Sequence, residues 1–221
     1  MQVTVSLMLT VVTACGRVGF DELQDDARVD APDDTVLTQT DVQVSAMANL
    51  WGAGRTTPPA PGGSGAGVLP TLVVLPAGSG RVLQMLEVAG TLDFGLGPSS
   101  PDGIVDSNPQ TVEYGGLVSV TCTQVNALEA VFLDDNKPVD PAPPSLNMDP
   151  TATSFTAIGL RQLLFIGDGL TGTGSGEVQT FAIPDAATRL YIGLDDVPEL
   201  SNQPGGYDDN SGTITATVVI R

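Results

Sequence analysis

From Asp41 to the C-terminus the chain repeats one pattern: short runs in which apolar and small polar residues alternate, each cut by Gly, Pro, Asn or Asp. Period-two alternation places one face of a strand against a core, and the interrupting residues favour turns. The pattern predicts strands at Val42–Leu50, Thr71–Leu75, Arg81–Phe94, Leu117–Gln124, Ala130–Leu133, Thr153–Ala157, Gln162–Ile166, Gln179–Ala182, Arg189–Leu194 and Thr213–Ile220. The last alternates most cleanly, as Thr213-Ile214-Thr215-Ala216-Thr217-Val218-Val219-Ile220. No stretch beyond the opening apolar run holds a helical period. The expected fold is all-β, an antiparallel β-sandwich of galactose-binding-domain-like or jelly-roll type, with the choice between jelly-roll and Greek-key wiring left open.

Between the strands, Gly52–Gly67 is rich in Pro and Gly, Pro98–Pro109 carries Asp102 and Asp106, and Asp134–Pro150 is Pro-rich and acidic. Functional groups concentrate on such loops, because a rigid scaffold can position them. The Gly-rich stretch Gly167–Glu177 lacks the lysine of a phosphate-binding loop and is read as a wide hairpin turn. No tandem repeat is visible.

The first residues, Met1 to Ala14, are almost wholly apolar and are followed by Cys15-Gly16. The run falls short of the about 20 residues that span a bilayer, and suits the apolar part of a secretory signal. Val12-Thr13-Ala14-Cys15 resembles the bacterial lipobox, in which the cysteine becomes the lipid-bearing N-terminus. No Lys or Arg precedes the apolar run; a start codon placed too far downstream accounts for that departure. The competing reading is an ordinary N-terminal strand with a buried cysteine. Gly16 at the next position implies, by analogy, the outer membrane of a bacterial cell envelope. The organisation expected is a signal at 1–14, a tether at 15–40 and a β domain at 41–221. The tether is acidic, with Asp21, Glu22, Asp25, Asp26, Asp30, Asp33 and Asp34 facing a single Arg28, and like charges so dense keep a chain extended. A metal-buffering role is the other reading of that segment.

Charge and composition narrow the function. Lys and Arg number 8 against 26 Asp and Glu, for a formal net charge of −18. Nucleic acid is excluded as a partner, since phosphate binding needs clustered cations. The lipid anchor is therefore the expected membrane contact. Histidine is absent, which rules out triads and metal sites that depend on imidazole. Cys122, the second of two cysteines, sits in an alternating run and reads as a small buried hydrophobe.

The chemistry concentrates near the C-terminus. Asp195, Asp196, Asp208, Asp209 and Asn210 supply four carboxylates and an amide in one turn-rich stretch that leads into the last strand. Hard cations take carboxylate, amide and main-chain oxygens, so these residues predict a calcium site. A solvated acidic turn is the plain alternative, because Asp and Asn are ordinary turn residues.

Leu190-Tyr191-Ile192-Gly193-Leu194-Asp195-Asp196-Val197-Pro198, Gly206-Tyr207-Asp208-Asp209-Asn210-Ser211-Gly212 and Thr213–Ile220 together resemble the C-terminal part of the bacterial galactophilic lectins of the PA-IL type. Upstream, Val88–Gly95 resembles that family's strand ending in an aromatic-Gly pair. The resemblance implies calcium ligands at Asp196, Asp209, Asn210 and the main-chain carbonyls of Gly206 and Phe94, with sugar hydroxyls bound directly to the ion. It also implies sugar contacts near Tyr207, Asp208 and Asp102, a galactose-type glycan as partner, and a tendency to homo-oligomers. Asp209 replaces the family's Asn, which adds charge favourable to calcium. The loop from Glu199 to Gly205 is an insertion, and the family's His and Gln sugar contacts have no counterpart here.

Four residues keep two readings each. Trp51 is either a sugar-stacking platform or a rim-packing residue, Tyr207 either stacks or braces its loop, and Asp102 and Asp106 either touch the ligand or do not. A carboxylate glycosidase would need two acids about 5–9 Å apart across a cleft. Nothing marks such a pair, and no enzyme is expected. The expected function is calcium-dependent carbohydrate binding by a surface-anchored, lectin-like domain. The alternative is a cell-envelope structural or adhesion module in which calcium is only structural or absent.

Overall fold

The computed structural model describes residues 35–106, 110–197 and 201–221. The signal, Cys15 and the acidic stretch before residue 35 lie outside the described residues.

The fold is all-β, as the alternation predicts. One sheet contains β1 (Thr38–Ser45), β3 (Val82–Phe94), β4 (Pro98–Ser99), β10 (Ser154–Phe155), β14 (Thr180–Ala182) and β16 (Asn210–Ile220), in the order β1-β16-β3-β14-β10 with β4 added beside β3. The other contains β2 (Thr71–Val74), β9 (Glu129–Leu133), β11 (Leu163–Phe165) and β15 (Arg189–Gly193), ordered β11-β9-β15-β2. Three small pairs complete the set: β5 (Ile104–Val105) with β8 (Gln124–Val125), β6 (Glu113–Tyr114) with β7 (Leu117–Val118), and β12 (Leu170–Gly172) with β13 (Ser175–Val178).

Both sheets feed one hydrophobic core, an arrangement consistent with a sandwich. Val44, Leu83, Met85, Phe181, Ile214 and Val218 come from the first sheet; Val73, Ala130, Phe132, Leu164, Leu190 and Ile192 come from the second. The second sheet is covered on its other face as well, where Leu50, Trp51, Leu117, Val131, Leu163 and Tyr191 form a separate cluster. Two covered faces explain why every residue of β9 is buried and why, after Glu129, its sequence is a continuous apolar run rather than an alternating one.

Four expectations are corrected. The first sheet begins at Thr38, inside the stretch assigned to the tether, because Thr38 to Ser45 pair with Ile220 to Thr213. The strand read as Val42–Leu50 ends at Ser45, and Leu50–Gly52 instead form a short 3-10 turn. Asn49 causes the change: its side chain accepts from Trp51 N (3.0 Å), which captures the chain into a capped turn. Leu117–Gln124 divides into two short pieces, since Ser119 Oγ accepts from Val112 N (2.8 Å) and Thr121 Oγ1 bonds Ser145 Oγ (3.1 Å). The first sheet is mixed rather than purely antiparallel, because β10 runs parallel to β14. The Gly-rich stretch after Asp168 closes as the β12–β13 hairpin, and Cys122 is free and buried, as read.

Candidate metal and carbohydrate site

The register of the first sheet sets the site. β16 pairs with β3 so that Asn210 lies opposite Phe94. Asp93 shapes the turn that follows, as its Oδ1 accepts from Gly95 N and Gly97 N at 2.9 Å each. Gly95 has φ +78° and lies against Asp209: a Cβ there would stand 2.6 Å from Asp209 Oδ2. From the other sheet, β15 ends at Gly193 and hands the chain to Asp195 and Asp196. Asn210 Nδ2 donates to Asp196 Oδ2 (2.8 Å) and to Ala46 O (3.1 Å). Gly206 closes the other flank, since with φ +92° a Cβ on it would sit 2.8 Å from Asp196 Oδ1.

Thus Asn210 bonds Asp196, Asp209 lies near enough for its charge to act on Asp196, Gly206 lies against Asp196, and Phe94 lies opposite Asn210 in the sheet register. Asn210 is 5 % exposed, and its Oδ1 is buried with no hydrogen-bond donor. The two acceptors on its other end fix which atom is the nitrogen, so the bare atom is an acceptor. A buried acceptor without a donor is costly and asks for a positive partner. Burial pushes the Asp196 carboxyl up to about 6, opposed by the Asn210 hydrogen bond and reinforced by the charge of Asp209. Two carboxylates, an amide oxygen and nearby main-chain oxygens fit a hard divalent cation. Among the described residues no group of three or more acids or thiols gathers within reach of one ion, so neutral oxygens would complete any shell.

A carboxyl cluster lies behind the site. Trp51 Nε1 donates to Asp195 Oδ1 (2.8 Å), and burial pushes Asp195 up to about 7. Glu129 is 4 % exposed with a bare Oε2, and burial, with the charge of Asp195, raises it well above the usual carboxyl range. Glu129 escaped the sequence reading because it begins an apolar strand; the available signal was one acid amid Leu128, Ala130, Val131 and Phe132. Asn49 was missed too. Its Nδ2 donates to Pro59 O (2.7 Å) and Ala66 O (2.9 Å), pinning the Pro- and Gly-rich loop beside the site. That loop meets the C-terminal one through Gly62 N to Pro204 O (2.9 Å), Gly206 N to Gly63 O (3.0 Å) and Asp208 N to Ser64 O (3.0 Å).

The expected sugar contacts fare differently. Asp208 is exposed and available. Tyr207 is 0 % exposed; its hydroxyl donates to Leu194 O (2.8 Å) and accepts from Asp196 N (3.1 Å). It therefore braces the loop and presents no ring face to a ligand, which corrects the sugar-contact expectation. Trp51, also fully buried, is no platform. Asp102 is 5 % exposed and accepts from Asp168 N (2.8 Å), so it belongs to a different corner of the domain and is withdrawn as a sugar contact.

Comparison of the chain with family models, with curated proteins and with solved structures finds no match.

Proposed function

We propose that this domain binds calcium through Asp196, Asp209, Asn210 and the carbonyls of Gly206 and Phe94, and that the ion holds vicinal hydroxyls of a glycan. The bare, buried Oδ1 of Asn210 beside two carboxylates is the observation that carries the reading. Calcium would supply the positive partner that this oxygen lacks and would offset the charge that Asp196 and Asp209 impose on each other. The exposed Asp208 carboxylate, next in sequence to Asp209, would accept hydrogen bonds from sugar hydroxyls. In the same reading the domain is non-enzymatic, and Cys15 carries the lipid that holds it at a bacterial envelope.

A second reading has an observation of its own. Neither of two cavities, one of about 420 Å3 beside Asp41 and Glu87 and one of about 90 Å3 beside Asp102, is lined by Asp196, Asp209 or Asn210. A site that lines neither cavity favours a module in which calcium only stiffens the loops. Calorimetric titration of the full chain with calcium, followed by a glycan array with and without chelator, separates the two. Saturable calcium binding with chelator-sensitive glycan signals supports the lectin. Calcium without glycan supports the stiffened module, and absence of calcium binding removes both.

A further inference from the structure

A second place in the molecule gathers bare acceptors. Asp102 is 5 % exposed and spends Oδ1 on Asp168 N (2.8 Å), while its Oδ2 is buried with no donor. Gln124, on β8, has a buried Oε1 in the same condition. Both side chains line one cavity of about 90 Å3, shared with Pro150, Thr151, Phe165 and Thr171. Its walls are fixed. Gln179 Nε2 donates to Pro150 O (2.8 Å) and Ala152 O (2.9 Å), and Thr171 Oγ1 accepts from Glu177 N (3.0 Å).

Charge distinguishes a cation from a water here. A water can donate a proton to each of two acceptors and satisfy their lone pairs. It leaves the charge as it is, and this pocket concentrates charge of one sign. Asp168 stands next to Asp102, its backbone N–H bonded to the Asp102 carboxylate. The Asp168 oxygens are engaged by Leu170 N and Gly174 N. No Arg or Lys hydrogen-bonds to Asp102 or Asp168 among the described residues. A divalent cation satisfies both bare oxygens and also offsets the paired carboxylates. An all-oxygen donor set selects a hard ion, and the cavity leaves room for waters, each taking about 30 Å3, to complete its shell.

We propose that the cavity between Asp102 and Gln124 is a second cation site, specific for a calcium-class divalent ion and sharing no ligand with the Asp196 site. One free carboxylate oxygen makes it a weak site, of the kind filled at about 10⁻⁴–10⁻³ M calcium.

The test is calcium stoichiometry of the full chain by equilibrium dialysis, at up to about 5 mM free calcium, well above that range. D102N keeps the oxygen that receives Asp168 N and removes the charge; Gln124→Met keeps the length and removes the oxygen. Melting curves in chelator check that each variant folds, and either variant alone suffices for the test. The expected result is two ions per wild-type chain and one in D102N, in Gln124→Met and in Asp196→Ala. An ion lost in D102N but retained in Asp196→Ala supports this site even if the Asp196 site fails. A stoichiometry that falls with Asp196→Ala and is unmoved by both D102N and Gln124→Met overturns the proposal, as does a wild-type chain that binds no calcium; the cavity then holds water.

Discussion

Asp134 and Asp196 are both aspartates in turn-rich loops, and the fold treats them in opposite ways. Asp134 Oδ1 accepts from Asn136 N (2.9 Å) and its Oδ2 from Asn136 Nδ2 (2.8 Å), and these bonds, with Arg189 and Arg161 nearby, hold it below the usual carboxyl range. Exposed Asp149 is likewise lowered by the Thr151 amide and hydroxyl. Asp196 receives one side-chain donor, faces Asp209, and is pushed up to about 6. Density of acids along the chain is similar in these loops, so density does not mark a site. What marks it is a carboxylate enclosed where local donors are too few.

The sharpest way to break the contrast is to remove the donor on the core side. Trp51→Ala empties a fully buried position and strips Asp195 of its indole partner. A loss of about 3–5 kcal/mol is expected, seen as a fall in Tm of about 10 °C. Trp51→Phe keeps most of the ring volume and should cost about 1–3 kcal/mol. A Trp51→Phe variant as stable as wild type would mean that the hydrogen bond to Asp195 contributes nothing.

On the solvent side the expected effect is on binding. Asp196→Ala and Asp209→Ala should each weaken calcium binding by about 100-fold or more while leaving the all-β circular-dichroism spectrum intact. Gly206→Ala should do nearly the same without replacing a ligand side chain, because the added Cβ crowds the Asp196 carboxylate at a backbone angle few side chains adopt. Calorimetry that finds wild-type affinity in Asp196→Ala would remove that carboxylate from the ligand set.

Much of the fold was legible. Arg81–Phe94 and Thr213–Ile220 appear as β3 and β16 because part of each strand buries one face and leaves the other open, which leaves a period of two in the text, while Arg189–Leu194 appears as β15 from a short apolar run buried on both faces. Leu117–Gln124 failed because Ser119 and Thr121 spend their hydroxyls on loop partners, a choice that nothing local announces. The residues proposed as ligands in the C-terminal loop stand out as a group in the sequence, since they are close together. Phe94 joins them only through the β3–β16 register. Tyr207 kept two readings, stacking or bracing, because an aromatic between Gly206 and Asp208 does not announce where its ring packs. Its burial depends on Gly67 and Leu194, far away in the chain; a Cβ on Gly67 would stand 3.0 Å from the Tyr207 side chain.

Acidity offers a gentler probe of the same contrast. Asp195 and Asp196 have folded-state values of about 7 and about 6, above their value of 3.8 when unfolded. Between those limits the folded chain holds protons that the unfolded chain has released. Their contribution to stability is therefore present below pH 3.8 and is lost as pH rises through about 6 and about 7. In chelator, Tm should be higher at pH 5 than at pH 7.5 by about 5 °C. Calcium should reverse the order, because it binds the deprotonated carboxylates and competes with the proton. A chelated protein more stable at pH 7.5 than at pH 5 would contradict the assignment of these raised values.

Asp134 should show the opposite sign and the smallest effect. Its folded value lies below 3.8, so what it contributes is present above that pH and is lost as pH falls through the lowered value. The carboxylate is well exposed, and solvent screens most of the gain from Arg189 and Arg161. Asp134→Ala should lower Tm at pH 7.5 by no more than about 2 °C, and the difference should shrink as acid protonates the wild-type carboxyl. Its calcium titration should overlay that of wild type. A calcium response altered by Asp134→Ala would mean that the two kinds of acidic loop are electrostatically linked, and that scarcity of local donors is not what sets the Asp196 site apart.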